Sequence, residues 1–298
     1  RGCGELLTAP GWGDGRRHPR ASGVMAAGPP DLRPAQEPGL PDGLRVAAGF
    51  WDDAQCRAIE ADVDDLRTLA DMGSFREDTV DRKALRSKYF FGHGYTYGAQ
   101  AGARGSERIL PPGRVDPIPP WIHSKLIALL EREELVPRGW INSAVVNDYK
   151  AGGMIVSHVD PPHLFARPIF IASFFAGGRL AFGAGFVFSN GRFSGAESAA
   201  PRYIAGMPRG SLCRMDGFAA NGITHGIRPG DMDGRRASIV LRHVRDSAPC
   251  ATPPPSPRAA KQSFYPAPRG KGQGAHQTFY GSAGGAAGKR MLASADGG

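Results

Sequence analysis

His158-Val159-Asp160 is a place in the chain where residue types and spacing could hold a metal ion. On extended backbone, residues two apart point to the same side with Cα atoms about 6.6 Å apart. An imidazole and a carboxylate placed this way can converge on one ion. His225, in Ile223-Thr224-His225-Gly226, lies between predicted strands and could bring a second imidazole. Two imidazoles and one carboxylate on one face, with the other face open, form the ligand set of non-haem Fe(II) oxygenases. On spacing alone, the two histidines read equally well as partly buried core residues.

Two arginines suggest an anion site. Arg236 and Arg242 are six apart in Arg236-Ala-Ser-Ile-Val-Leu-Arg242, so on a strand both face the same way, alternating against Ala237, Ile239 and Leu241. An enclosed guanidinium needs a fixed anion, and a dicarboxylate suits its planar fork; two solvent-facing strand arginines are the alternative. Asn147 and Tyr149, also two apart on a predicted strand, could bind the same small acid. From Arg82 to Gly98, four bases interleave with five aromatics. Stacking surfaces beside phosphate-binding cations are what single-stranded nucleic acid or a flipped base requires. Phe90 and Phe91 are the aromatics expected in the core instead.

The elements that must position these residues occupy the middle of the chain. Of 298 residues, 41 % are hydrophobic and 22 % charged, ordinary globular values, but Gly (42) and Pro (26) are in excess. The excess gathers in residues 1–44, with seven prolines, and in 247–298, with Pro253-Pro254-Pro255 and a Gly/Ala-rich run. Neither stretch has the apolar pattern to offset the entropy of ordering it, so both are expected to be disordered tails. The net charge is +9, and the last tail carries six Lys/Arg against Asp296 alone. That suits loose contact with nucleic acid or a solvated linker equally. Four scattered cysteines without a CxxC pair exclude a disulfide scaffold and a zinc ribbon, and they fit a reducing compartment. No apolar run reaches the ~18 residues of a membrane helix, and no secretory signal is expected from these residues.

Between residues 45 and 246 one domain is expected. Ile59, Val63, Leu66 and Ala70 recur at helical spacing after an N-cap at Asp52 or Asp53. A second helix is predicted from about Pro119 to Leu135, with Trp121, Ile122, Leu126, Leu129 and Leu130 as its stripe. From Trp140 the pattern becomes short strands: Ser143–Tyr149, Met154–His158, Ile169–Phe175, Leu180–Phe188, Tyr203–Met207, Ser211–Met215 and Arg236–Val244. The fold class predicted is mainly β with flanking helices, a sandwich or jelly roll.

Taken together, these residues resemble the AlkB family of Fe(II)/2-oxoglutarate dioxygenases, and within it the branch that demethylates N6-methyladenosine in RNA. The resemblance covers Arg45 to Arg245 and rests on long strings: Asp81-Arg82 through Lys88-Tyr89-Phe90-Phe91-Gly92; Gly94-Tyr95-Thr96-Tyr97-Gly98-Ala99-Gln100; Asn142-Ser143-Ala144-Val145 through Asn147-Asp148-Tyr149; Ile155-Val156-Ser157-His158-Val159-Asp160-Pro161; and Ile223-Thr224-His225 through Ile227-Arg228-Pro229. It implies a double-stranded β-helix preceded by a helical and nucleotide-recognition segment. It also implies iron held by His158, Asp160 and His225. The 2-oxoglutarate cosubstrate would then pair with Arg236, assisted by Asn147, Tyr149 and Arg242, while Lys88 and Tyr95 serve as catalytic-site residues near the methylated base. O2 would oxidise the N-methyl group, yielding succinate, CO2 and formaldehyde. The implied partner is single-stranded methylated RNA, met by a monomer in the nucleus. The same chemistry on another methylated base or on protein, or a silent RNA-binding module, are the rival readings. Where the branch carries a cysteine pair near its substrate, this chain has Ala184 and Gly226, which leaves strand and base preference open. The loop after Phe188 and His93 also depart from the branch.

Overall fold

The computed structural model describes residues 39–96, 106–183, 188–189, 192–193, 200–232 and 234–251. The expected tails lie outside the described residues apart from 39–44 and 247–251, and these belong to the fold. Leu44 is fully buried, and the Ala251 amide donates to the Ile109 carbonyl at 2.9 Å.

In chain order the elements are β1 (Leu44–Ala47), α1 (Asp53–Asp71), β2 (Val80–Lys83), β3 (Arg86–Phe91) and α2, which has three contiguous pieces (Pro120–Ile122, His123–Ile127, Ala128–Arg132). There follow β4 (Ser143–Tyr149), β5 (Ile155–His158), β6 (Ile169–Phe175), β7 (Gly178–Phe182), β8 (Phe188–Ser189), β9 (Arg192–Phe193), β10 (Tyr203–Met207), β11 (Leu212–Met215), α3 (Gly217–Asn221), β12 (His225–Ile227) and β13 (Arg236–Arg242).

A large antiparallel sheet runs β1-β11-β6-β13-β4-β3-β2, and a smaller one runs β10-β7-β12-β5; β8 and β9 pair separately. From β4 onward the chain keeps crossing between the two sheets. β4, β6, β11 and β13 lie in the large one, and β5, β7, β10 and β12 in the small one. This is the jelly roll among the strand pattern's two options, the double-stranded β-helix that the resemblance implies.

Strand alternation divides the large sheet into two faces. Tyr89, Phe91, Val146, Phe170, Phe174, Ile239 and Leu241 face α1 and α2 and form one core with Ile59, Val63, Leu66, Ile122, Leu126 and Leu130. The other face looks into the space between the sheets. α1 starts and stops where local chemistry says it should. Asp52 caps it with a capping box, accepting from the Gln55 amide (2.8 Å) while Gln55 Oε1 accepts from the Asp52 amide (2.9 Å). It ends in a Schellman turn: Ser74 N–H bonds the Leu69 carbonyl, Gly73 N–H bonds the Ala70 carbonyl, and Gly73 takes φ +72°.

Three features differ from the sequence pattern. The recognition segment contains a hairpin, β2–β3, that widens the large sheet, and Phe90 and Phe91 fall on opposite faces of it. The second helix contains a π turn at His123–Ile127. The strand expected at Leu180–Phe188 is β7 at Gly178–Phe182, and residues 184–187 lie outside the described set. Among the described residues no helix is long and apolar enough to cross a membrane.

Candidate active site

The inner face of the large sheet, the small sheet and the segment around Tyr95 enclose a cleft of about 570 Å³, part of it open to solvent. All nine residues singled out from the sequence line it: Lys88, Tyr95, Asn147, Tyr149, His158, Asp160, His225, Arg236 and Arg242. Register explains the convergence. His225 on β12 stands opposite His158 on β5. Across the large sheet, Lys88, Asn147, Ser238 and Ser173 form one row, and Tyr149, Arg236 and Phe175 form the next.

The ligand atoms of His158, Asp160 and His225 lie within 4.8 Å of one another. His225 Nε2 is 3.5 Å from Asp160 Oδ2. His158 Nδ1 is 2.8 Å from the Val156 carbonyl, which can only accept, so Nδ1 carries the proton and Nε2 offers its lone pair. Burial and the neighbouring His225 push the His158 pKa down to about 3, so the ring is neutral at pH 7, as a ligand must be. Burial would raise Asp160, but the hydrogen bond from His225 and the charge of Arg242 outweigh it and hold the carboxyl well below its usual range. Two imidazoles and one carboxylate, half-buried to buried and converging, fit a divalent iron ion.

Arg236 fits an anion. Its side chain is buried, with 2 % of the residue exposed, and Nη2 donates to Ser173 Oγ at 2.7 Å. Among the described residues, Nε and Nη1 are buried without a hydrogen-bond partner, and no carboxylate pairs with the guanidinium. Burial consequently lowers its pKa. A desolvated, half-satisfied guanidinium is costly unless an anion completes it. Asn147 Oδ1, one row away, is likewise buried and without a partner, while its Nδ2 contacts Ser238 Oγ at 3.4 Å.

Arg242 does something else. Six residues along β13 separate the two arginine Cα atoms by about 20 Å. Arg242 Nη1 donates to Asp160 Oδ1 at 2.8 Å, and its guanidinium lies over the Phe165 ring (3.9 Å) and the Tyr95 ring (5.1 Å). Tyr95 also packs edge-on against Phe90 and Phe165. Lys88 is 3 % exposed; burial holds its pKa well below the usual value, and its ammonium sits 5.2 Å from the Phe90 ring centre.

Ser173, Ser238 and Phe165 escape the sequence reading. The alternation that aligns Arg236 with Arg242 also places Ser238 on their side and could have found it, whereas Phe165 sits outside any strand and gives no signal. Gly226 pairs with Ala181 across β12 and β7, and Ala184 lies outside the described residues. The His93 carbonyl accepts from Ser143 Oγ at 3.4 Å.

No family model matches the chain. Among curated proteins it is 48 % identical over 209 residues to "RNA demethylase ALKBH5" of Xenopus laevis, covering 70 % of this chain and 56 % of that protein. The Bos taurus protein of the same name matches at 48 % over 209 residues, 52 % of its length. "RNA demethylase ALKBH9B" of Arabidopsis thaliana matches at 27 % over 212 residues, 40 % of its length. The chain therefore spans about half the length of the curated relatives it matches. Of solved structures, OsALKBH1 is 17 % identical with a TM-score of 0.39, covering 68 % of this chain and 99 % of that one. A Pseudomonas putida prolyl-4-hydroxylase is 13 % identical with a TM-score of 0.39, covering 68 % of this chain and 92 % of that one. Over 209 residues, then, this chain is similar, at 48 % identity, to proteins named RNA demethylase ALKBH5.

Proposed function

We propose that this protein is an Fe(II)/2-oxoglutarate-dependent oxygenase that demethylates N6-methyladenosine in single-stranded RNA. The observation that carries the reading is the cleft's two-ended chemistry. A converging His-Asp-His triad lies in the same cleft as a buried guanidinium that lacks an anion among the described residues. The names of the curated relatives supply the substrate class.

His158, Asp160 and His225 hold the iron, and Arg236 holds the far carboxylate of 2-oxoglutarate with Asn147 and Tyr149 beside it. When bound, iron and 2-oxoglutarate supply oxidation of the N-methyl C–H bond by O2, releasing succinate and CO2, and the hydroxymethyl product then sheds formaldehyde. Arg242 keeps the Asp160 carboxylate ionised and aimed. Phe90, Phe165 and Tyr95 make a wall that excludes water from that end. Lys88 and Tyr95, on that wall, meet the methylated base. A nuclear location accords with an RNA substrate and the basic tail.

The test is mass spectrometry of a short single-stranded RNA bearing one N6-methyladenosine, incubated with the protein, Fe(II), 2-oxoglutarate and ascorbate. The expected result is loss of one CH2 per strand, absent in His158→Ala. Succinate formation without that loss sinks the substrate while sparing the chemistry. Neither product sinks both.

A further inference from the structure

One half-buried cation has no task in this scheme. Arg167 is not among the residues lining the cleft, yet its guanidinium makes four hydrogen bonds behind it. Nη2 donates to the main-chain carbonyls of Asp160 (2.7 Å) and Ala220 (3.2 Å), Nη1 to the carbonyl of Phe165 (3.0 Å) and Nε to Asn221 Oδ1 (3.1 Å). All four acceptors are uncharged oxygens. A planar fork of donors is suited to fixing several acceptors relative to one another, which an ammonium cannot do.

The acceptors belong to two stretches that each deliver a candidate metal ligand. One includes Asp160 itself. The other is the C-terminal end of α3, whose last residue, Asn221, comes four residues before His225. Sheet pairing fixes only part of this geometry. His158 and His225 face each other in register, but β5 ends at His158 and Asp160 lies two residues beyond it, outside any strand. Arg242 holds the Asp160 carboxylate, and Arg167 holds its carbonyl.

We infer that Arg167 is a positioning residue for the metal centre, tying the Asp160 main chain to the helix that leads into His225 so that the ligands stand converged before an ion arrives. This rests on the iron reading above and deepens it. Without the tie, part of the ion's binding energy goes into bringing the two stretches together, and partners behind metal ligands are typically worth about 10- to 100-fold in affinity.

The experiment is Mn(II) binding to the full chain, read from the electron paramagnetic resonance signal of the free ion. It compares the intact protein with Arg167→Gln, Arg167→Lys and Asp160→Ala. Mn(II) binding that Asp160→Ala abolishes places the ion on the triad. Arg167→Gln is then expected to bind about tenfold more weakly, with Arg167→Lys between the two. A role in folding alone would lower the Tm of the metal-free protein and leave the Mn(II) constant where it was. Unchanged Mn(II) affinity in a natively folded Arg167→Gln overturns the inference. If that variant does not fold, Arg167→Lys decides by the same constant. An intact protein that binds no Mn(II) overturns the iron reading instead.

Discussion

Arg236→Met separates the two things a buried arginine can be for. Among the described residues this guanidinium has one neutral partner, Ser173, and two buried nitrogens with none. Methionine fills similar space without a charge. Losing the Ser173 contact costs about 1 kcal/mol, and removing a desolvated, unpaired charge offsets more than that. The variant is therefore expected to unfold at or above the Tm of the intact protein. Cosubstrate binding moves the other way. Two charge-assisted hydrogen bonds to a carboxylate, at about 1.5–3 kcal/mol each, amount to about 3–6 kcal/mol. At 1.4 kcal/mol per decade, affinity falls by about 100- to 10,000-fold. The assay is calorimetric titration of 2-oxoglutarate into Mn(II)-loaded protein without oxygen, beside thermal melts of both proteins. If 2-oxoglutarate binds the variant within about threefold of the intact protein, less than 1 kcal/mol, the guanidinium does not hold the acid and the reasoning fails. A large drop in Tm with binding intact would make Arg236 a structural residue.

Further outcomes follow from other contacts. Lys88→Met, which removes a buried ammonium beside Phe90 and Tyr95, is expected to lower RNA turnover while leaving Mn(II) and 2-oxoglutarate affinity unchanged in the same titrations. Asp231 accepts from the Arg228 amide and guanidinium and from Arg179. Burial would raise its pKa, but the Arg228 hydrogen bonds outweigh burial and lower it below 3.8. Its stabilising contribution is thus complete above the unfolded value and is lost as pH falls through the folded one. Urea midpoints taken on acidification below about pH 4 should fall more steeply for the intact protein than for Asp231→Asn. Phe170→Ala, at a fully buried position between the large sheet and the helices, should cost about 3–5 kcal/mol in urea unfolding.

Much of the site is legible in the sequence because its geometry is local. Two-residue spacing sets His158 with Asp160, and Asn147 with Tyr149, and six-residue spacing sets Arg236 with Arg242. α1 is legible because its buried positions repeat at three and four residues. What escapes depends on partners distant in sequence. β2 and β3 carry Arg82, Lys83, Arg86 and Lys88, which read as phosphate-binding cations beside stacking aromatics. Only pairing of β3 with β4 turns Lys88 inward and makes the segment a sheet edge. β12 is three residues long and exists by lying between β5 and β7. The attachment of Arg242 to Asp160 follows from the path of the chain beyond β5, which no periodicity encodes. Arg167 is invisible for the same reason, since its acceptors are mainly backbone carbonyls.

The position of β13 governs the order in which this molecule can be completed. The last strand among the described residues is not at a sheet edge but in the middle, between β4 and β6. Until residues 236–242 leave the ribosome, β4 and β6 have no neighbour on their facing sides, and each shows an open row of backbone donors and acceptors. Contacts spanning about a hundred residues of chain, such as Ser143 with Arg242, close the sheet at the end, and long-range pairing of this kind is slow. Arg236 and the arginine that holds Asp160 arrive on that same strand. A nascent or truncated chain therefore has the histidines but neither guanidinium, and it presents unpaired strands that invite aggregation. The protein acquires its closed fold and its full set of cleft residues in one late step.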